Sequence, residues 1–458
     1  MRSGSLIVSL VAVLFAVMAC SSGSDDEPET VAGHWHGSIE IPNAPLEVGI
    51  EFTGPDSGTI DIPTQSIRGF ELGDVRTDPA DVGFTMPGIP GDPVFKGALD
   101  RESGRITGDF TQMGQSISLS LAPGEIAEPG RPQEPRPPFP YRAEDVSFAS
   151  GDITVAGTLT TPEGDGPFPA VVLITGSGAQ NRDEELFGHK PFLLIADTLT
   201  RAGYAVLRTD DRGVGGTGGD LNVADYDILA GDATAGIGYL RSRPDIDPAK
   251  VGLFGHSEGG YLAPLVAARP DSNVAFAILM ASPSVPGADV LIEQTRAILT
   301  QSGLPAEEID KEVAATTVMA ELLRAGDIEG AQAAYQRRMA DMPEEMREAA
   351  EASSPITPYY ASFVAYDPAP ALSASNIPVL AFYGDKDLQV LSTQNEPPAR
   401  ELLARNPDAT VHVFAGLNHL MQPATTGALD EYHSIETTID PQVLTFVTEW
   451  LTDRVPPR

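Results

Sequence analysis

Residues 251–266 constrain the chain more than any other stretch. Val251-Gly252-Leu253-Phe254 is a short apolar run of the kind buried in a parallel sheet. It leads directly into Gly255-His256-Ser257-Glu258-Gly259-Gly260, and Tyr261-Leu262-Ala263-Pro264-Leu265-Val266 continues as a helix-like segment. Glycines two residues either side of a serine permit a sharp strand-to-helix turn that presents the hydroxyl. Such a turn needs a strand behind it and a helix ahead of it, which implies an α/β fold. The second half of the chain agrees. A hairpin is expected over 146–159, and apolar strands over 170–175, 205–208, 274–279, 378–383 and 411–414. A helix is expected to start at Pro191, a residue favoured at the first helical position, and to end before Gly203. Alternation of this kind over residues 143–458 predicts one doubly wound, mostly parallel sheet. A helical stretch rich in Ala, Glu, Met and Arg, at about 287–366, interrupts the pattern and is expected to cap the sheet's carboxyl edge.

The first half is organised differently. Arg2 precedes a largely apolar run over residues 6–18, too short to span a bilayer but suited to the core of a signal peptide. The ending Val17-Met18-Ala19-Cys20 resembles the bacterial lipoprotein box, in which cleavage before the cysteine leaves a lipidated N-terminus. The alternative is an ordinary signal peptide cut near Ala19. The expectation is therefore a signal peptide at 1–19, lipidation at Cys20, a flexible tether to residue 30, and an exported protein anchored in the cell envelope, at the outer membrane or the periplasmic face. Ser21 and Ser22 after the cysteine would suit outer-membrane sorting. Residues 31–122 alternate apolar and polar side chains in short segments separated by Gly, Pro and Asp, which predicts a small all-β domain. Within it Trp35 is expected in the core, with His34 and His36 exposed. Seven prolines between Pro123 and Pro140 then favour extended geometry, so 123–142 is expected to be a semi-rigid linker.

Charge and cysteine usage narrow the function. The net charge is −36, from 65 acidic and 29 basic residues, and such a surface repels phosphate backbones, so no nucleic-acid partner is expected. Cys20 is the single cysteine, which rules out an intrachain disulfide and cysteine-ligated metal centres. No H-E-x-x-H run occurs and none of the five lysines stands in a phosphate-binding loop, so neither a metal nor a cofactor is expected. Gly213-Val214-Gly215-Gly216-Thr217-Gly218 satisfies G-x-G-x-x-G. Its strand is not the first of the sheet, however, and no apolar helix follows directly, so a dinucleotide site is not expected.

Ser257 on such a turn is a candidate nucleophile at a helix N-terminus, where the dipole favours developing negative charge. A serine needs a base and the base an orienting acid, in the chain order Ser, Asp or Glu, His on this fold. His412 falls inside a strand. His419, in Gly416-Leu417-Asn418-His419-Leu420-Met421, follows the last strand and is the preferred base, with His433 in reserve. Gly384-Asp385-Lys386-Asp387 ends the preceding strand and supplies the acid; Asp387 is preferred because Asp385 falls within the tight turn. An oxyanion would be met by the backbone N–H of Glu258 and by one from Thr175-Gly176-Ser177-Gly178, by position Ser177. Tyr359, Tyr360, Phe363 and Tyr366 close the cap and are expected chiefly to pack it on the sheet, the alternative being that they line an acyl or alcohol pocket.

These segments, with Gln180, Arg182-Asp183 and Asp211-Arg212-Gly213, resemble the α/β-hydrolase superfamily. More narrowly they are similar to exported bacterial carboxylesterases with an N-terminal β domain, which Trp35-His36-Gly37 and Phe110-Thr111-Gln112-Met113-Gly114 resemble. The resemblance implies Ser257, Asp387 and His419 as a triad and small, short-chain acyl esters as substrates. The oxyanion loop departs from the commoner His-Gly form by having Thr175. Two rivals remain: a serine peptidase of the prolyl-peptidase type, and a non-enzymatic lipoprotein whose β domain binds a glycan or a partner. The complete Ser, Asp, His order argues against the latter.

Overall fold

The computed structural model describes residues 31–41, 46–65, 67–89, 91–126, 130–340 and 356–457. The expected signal peptide, Cys20 and the tether lie outside the described residues.

Residues 33–123 form nine antiparallel strands: β1 (Gly33–Ile39), β2 (Leu46–Phe52), β3 (Gly58–Ile62), β4 (Ile67–Glu71), β5 (Gly73–Asp78), β6 (Asp81–Thr85), β7 (Val94–Asp100), β8 (Arg105–Gln112) and β9 (Gln115–Pro123). Their order is β4-β3-β2-β1-β9-β8-β7-β6-β5. The two edge strands, β4 and β5, are separated in the chain by Leu72 alone, so the sheet must curl until its edges adjoin. Alternate side chains, among them Val48, Ile50, Phe52, Phe84, Phe95, Ile106 and Leu121, fill the inside of this barrel-like sheet. Trp35 is in that core, as expected, with its indole N–H donating to the Val31 carbonyl at 2.8 Å.

The second sheet has the order β10-β11-β13-β12-β14-β15-β16-β17. Its strands are β10 (Arg142–Ser150), β11 (Ile153–Thr161), β12 (Phe168–Ile174), β13 (Ala205–Thr209), β14 (Ile246–His256), β15 (Ala277–Met280), β16 (Val379–Gly384) and β17 (Ala409–Phe414). The β10–β11 hairpin and the β11–β13 pair are antiparallel; all the others are parallel. The chain leaves β12 toward β13 and returns on the other side of it to β14, so the winding reverses at β12, and ligands bind at the carboxyl ends beside such a reversal. The central strands are apolar on both faces. Ala170 and Val172 point to one helical layer, with α2 (Tyr226–Arg241) and α3 (Gly259–Ala267). Val171 and Leu173 point to the other, with α1 (Pro191–Arg201) and the C-terminal helix Pro441–Arg454. This is the doubly wound α/β architecture that the alternation of segments implied.

Between β15 and β16 stand α4 (Gly287–Gln301), α5 (Ala306–Arg324), α6 (Ile328–Ala340) and α7 (Pro358–Ala365). The Gly287 N–H donates to the Tyr366 carbonyl at 3.0 Å and ties the start of α4 to the end of α7.

The proline-rich segment is more than a spacer. Besides the adjacent Gly130 carbonyl, the Arg131 guanidinium donates to those of Gly188, Phe187, Ile435 and His433 at 2.8–3.2 Å. The Gln133 amide accepts from the Thr438 and Ile439 N–H groups and donates to the Ile439 carbonyl. Glu134 pairs with Lys190 at 2.9 Å. The expected extended geometry gives way here to a turn, closed by the Glu134 N–H on the Arg131 carbonyl at 3.1 Å, and this turn aims the three side chains at the α/β unit. Charged hydrogen bonds contribute ~1.5–3 kcal/mol. Arg131→Ala is therefore expected to lower the melting temperature by several degrees. The exposed neighbour Arg136, changed to alanine, should leave it nearly unmoved; equal effects in thermal unfolding would show that the clamp contributes nothing.

Candidate active site

The site is built outward from the turn after β14. Ser257 has φ +53°, the left-handed region that only a tightly determined turn imposes on serine. The reason is steric. A Cβ at Gly255 would lie 2.1 Å from the Gly259 carbonyl oxygen, and one at Gly259 would lie 2.2 Å from that of Ile174. Strand, turn and helix α3 are thus packed backbone on backbone. The Ser257 N–H donates to the Met280 carbonyl at 2.9 Å, and the Ser257 carbonyl accepts from the Gly260 N–H at 2.9 Å.

Asp387 and His419 lie side by side on loops after β16 and β17. Asp387 Oδ2 is 2.7 Å from His419 Nδ1, and both residues are buried. The other carboxylate oxygen accepts from the Gln389 and Val390 N–H groups at 2.7 and 2.9 Å, so the acid is held by its own turn. Tight packing joins the loops: the Lys386 N–H donates to the Leu417 carbonyl, and a Cβ at Gly384 would lie 2.1 Å from that oxygen. Asn418 Oδ1 accepts from the Leu420 and Gln422 N–H groups, shaping the histidine loop. The pairing leaves His419 Nε2 for a proton. The ring of His256, the residue before Ser257, packs tilted against that of His419 with centroids 4.8 Å apart, and His256 Nε2 is 3.3 Å from the His419 carbonyl.

The reserve candidates stand elsewhere. Asp385 Oδ1 accepts from the Gly416 N–H and braces the turn. His412 lies on β17 against the rings of Phe414 and Phe446. His433 gives its backbone carbonyl to Arg131.

The loop after β12 holds Ser177 between two engaged amides. The Gly176 N–H donates to Glu184 Oε1 at 2.7 Å and the Gly178 N–H to the Tyr359 hydroxyl at 2.8 Å. The Ser177 and Glu258 N–H groups have no protein acceptor among the described residues. Farther along, Asp211 accepts from the Thr175 hydroxyl and the Gln180 N–H, and Arg182 forms a forked pair with Asp210. The glycine-rich segment 213–218 folds back on itself through the Gly213 N–H and the Gly218 carbonyl, and leads into the short 3-10 turn Leu221–Val223.

Three contributors escaped the sequence reading. Glu184, fully buried and at φ +52°, also takes His256 Nδ1 at 2.9 Å, so one carboxylate braces both the oxyanion loop and the serine turn. Burial pulls His256 down, but the Glu184 charge and hydrogen bond outweigh it and hold the imidazole above its ordinary value. The Glu258 side chain is buried and accepts from the hydroxyls of Tyr226 and Tyr359. Burial pushes its carboxyl up to about 7, against the two tyrosine donors. Tyr359, expected to pack, instead carries a polar contact. The only available signal was the cluster Asp183-Glu184-Glu185 and the glutamate after the serine, and neither names its partner.

A family model described as X-Pro dipeptidyl-peptidase (S15 family) matches residues 151–397, more than half of the chain. The chain belongs to this family. It is an α/β hydrolase and a serine hydrolase. This S15 member is 29% identical over 316 residues to Esterase EstD of Thermotoga maritima, covering 68% of the present chain and 70% of EstD. Among solved structures, the esterase Pf2001 of Pyrococcus furiosus is 16% identical with a TM-score of 0.43, covering 72% of this chain and 98% of its own. The α/β hydrolase GrgF of Penicillium sp. sh18 is 18% identical with a TM-score of 0.44, covering 68% of this chain and 99% of its own.

The Glu258 carboxyl titrates near 4.5 when unfolded and about 7 when folded, so folding favours its protonated form. That stabilisation, on the order of 3 kcal/mol, is fully present below pH ~4.5 and is lost as the pH rises through 7. Relative to the Glu258→Gln variant, the native protein should therefore lose melting temperature between pH 5 and pH 8. A difference that stays constant over that range would refute the assignment.

Proposed function

We propose that the protein is a serine carboxylesterase that cleaves short-chain acyl esters, with Ser257 as nucleophile, His419 as base and Asp387 as the orienting acid. The observation that carries the reading is the buried 2.7 Å pair of Asp387 and His419 on loops beside the strained serine turn. In this mechanism Ser257 Oγ attacks the ester carbonyl while its proton passes to His419 Nε2. Asp387, fixed on Nδ1, stabilises the imidazolium and holds the ring in place. The tetrahedral oxyanion is met by the unspent N–H groups of Glu258 and Ser177, each contributing ~3 kcal/mol. Collapse expels the alcohol, protonated by His419. Water then attacks the acyl-enzyme, gives its proton to the same histidine, and releases the acid and the free serine.

The likeness to EstD over two thirds of the chain supports an ester substrate. The family description favours a second reading, a dipeptidyl peptidase. Such an enzyme needs a carboxylate to receive the ammonium group of its substrate. Glu184 is sealed from solvent, and Asp211 and Glu258 are hydrogen-bonded to protein groups, which supports the esterase reading.

The export reading is also proposed here. Lipidation at Cys20 would hold the enzyme in the cell envelope, and Cys20→Ser is expected to move its activity from the membrane fraction to the soluble one; activity that stays in the membrane fraction rejects the anchor.

The first test is hydrolysis of p-nitrophenyl acetate, butyrate and octanoate beside X-Pro p-nitroanilides, using the protein from Ser24 onward and its Ser257→Ala variant. Acetate and butyrate should be cleaved faster than octanoate, and Ser257→Ala should reduce the rate by ~10⁴-fold or more. Preference for the anilides selects the peptidase, and full activity without the Ser257 hydroxyl removes the triad.

A further inference from the structure

The cap helix α7 presents Tyr359 to the catalytic unit from a stiff base. The Thr357 hydroxyl accepts from the Tyr360 N–H, and Pro358 sets the first helical position. Farther along, Tyr366 packs on Tyr226 and Tyr261 with ring centroids 5.0 Å apart, and the Ser362 hydroxyl accepts from the Tyr226 N–H at 3.3 Å. Between these anchors the Tyr359 hydroxyl does two things. It donates to Glu258 Oε2, and it accepts from the Gly178 N–H at 2.8 Å.

Those two partners flank the two amides assigned to the oxyanion. Glu258 offers its own N–H, and Gly178 follows Ser177, which offers the other. On the far side of Ser177, the Gly176 N–H is held by Glu184. Ser177 is thus braced from one side by the α/β unit and from the other by the cap. Gly178, at φ +91° and with nothing near its missing Cβ, is free to pivot once its N–H loses its acceptor.

We propose that Tyr359 is a positioning residue that sets the separation of the Glu258 and Ser177 amides, so that the oxyanion hole is complete only when the cap is seated. The proposal rests on the triad and oxyanion reading above. Because the hole bears charge only in the transition state, loosening it should slow the chemical step and leave substrate binding alone.

The experiment compares Tyr359→Phe with Tyr360→Phe, a change on the same helix outside the machinery, in the full exported chain. For p-nitrophenyl butyrate, Tyr359→Phe is expected to lower kcat ~10–100-fold with KM within about twofold. Its affinity for a trifluoromethyl ketone, which forms a charged hemiketal on the serine, should fall in step, while its affinity for the matching methyl ketone should not. Tyr360→Phe should match the native enzyme in all three. Should Tyr359→Phe lose its cooperative unfolding transition, 3,5-difluorotyrosine at position 359 keeps the size and weakens the acceptor, and kcat should again fall. Unchanged kcat and ketone affinity overturn the proposal, as does a rise in KM alone, which would make Tyr359 a substrate-packing residue. Either result leaves the triad standing if Ser257→Ala is inactive; an active Ser257→Ala variant overturns the underlying reading.

Discussion

The site depends on one steric constraint: at the end of β14 the backbone must reverse in a space that excludes a Cβ at both Gly255 and Gly259. Gly255 and Gly259 approach neighbouring carbonyl oxygens so closely that strand and helix meet backbone on backbone. Ser257 absorbs the turn at φ +53°, a conformation that costs a side-chain-bearing residue ~1–2 kcal/mol. The central sheet sustains that cost, because β14 is paired on both sides, with β12 and with β15. From the same turn follow the partial exposure of the serine, the direction of the Glu258 amide and the inward aim of His256.

Around the turn, buried carboxylates join segments that the chain keeps apart. A carboxylate removed from water is costly unless partnered. Asp387 takes His419 and two amides of its own turn; Glu184 takes Gly176 and His256; Glu258 takes two tyrosine hydroxyls. Each carboxylate has at least one partner on a separate segment, His419 for Asp387, His256 for Glu184, and Tyr226 and Tyr359 for Glu258, so groups that offset burial also set geometry. Arg131 extends the scheme outward. It ties the carbonyls of Phe187 and Gly188, near Glu184, to those of His433 and Ile435, near Tyr432, whose hydroxyl accepts from the His419 N–H. The segment between the two sheets thereby braces the chain next to Glu184 and Tyr432 and is not only a connection.

Much of this was legible in local sequence because local physics controls it. Periodicity separates the half-buried strands of the barrel from the fully apolar strands of the α/β sheet, and a composition change marks the cap ends that Gly287 and Tyr366 tie together. Turn chemistry separates Asp387 from Asp385, whose carboxylate is spent on the Gly416 N–H. The roles of Glu184, Tyr359 and Arg131 were not legible. Their partners lie 72, 101 and 302 residues away, and no period or turn motif relates residues at such separations. Tyr359 looked like packing because an aromatic run at a helix start is usually apolar contact, and its hydroxyl acquires a purpose only when Glu258 and Gly178 are brought to it.

What the sequence by itself determined is the set of elements and the polar side chains that stand at their ends. A serine between glycines after a buried strand, an aspartate past a turn and a histidine on the last loop are written in short-range steric and hydrogen-bonding rules. What only the tertiary structure decided is which buried polar groups satisfy one another. That choice depends on how sheet, cap and linker share a single low-dielectric interior, where an unpartnered charge is expensive and distance along the chain counts for nothing.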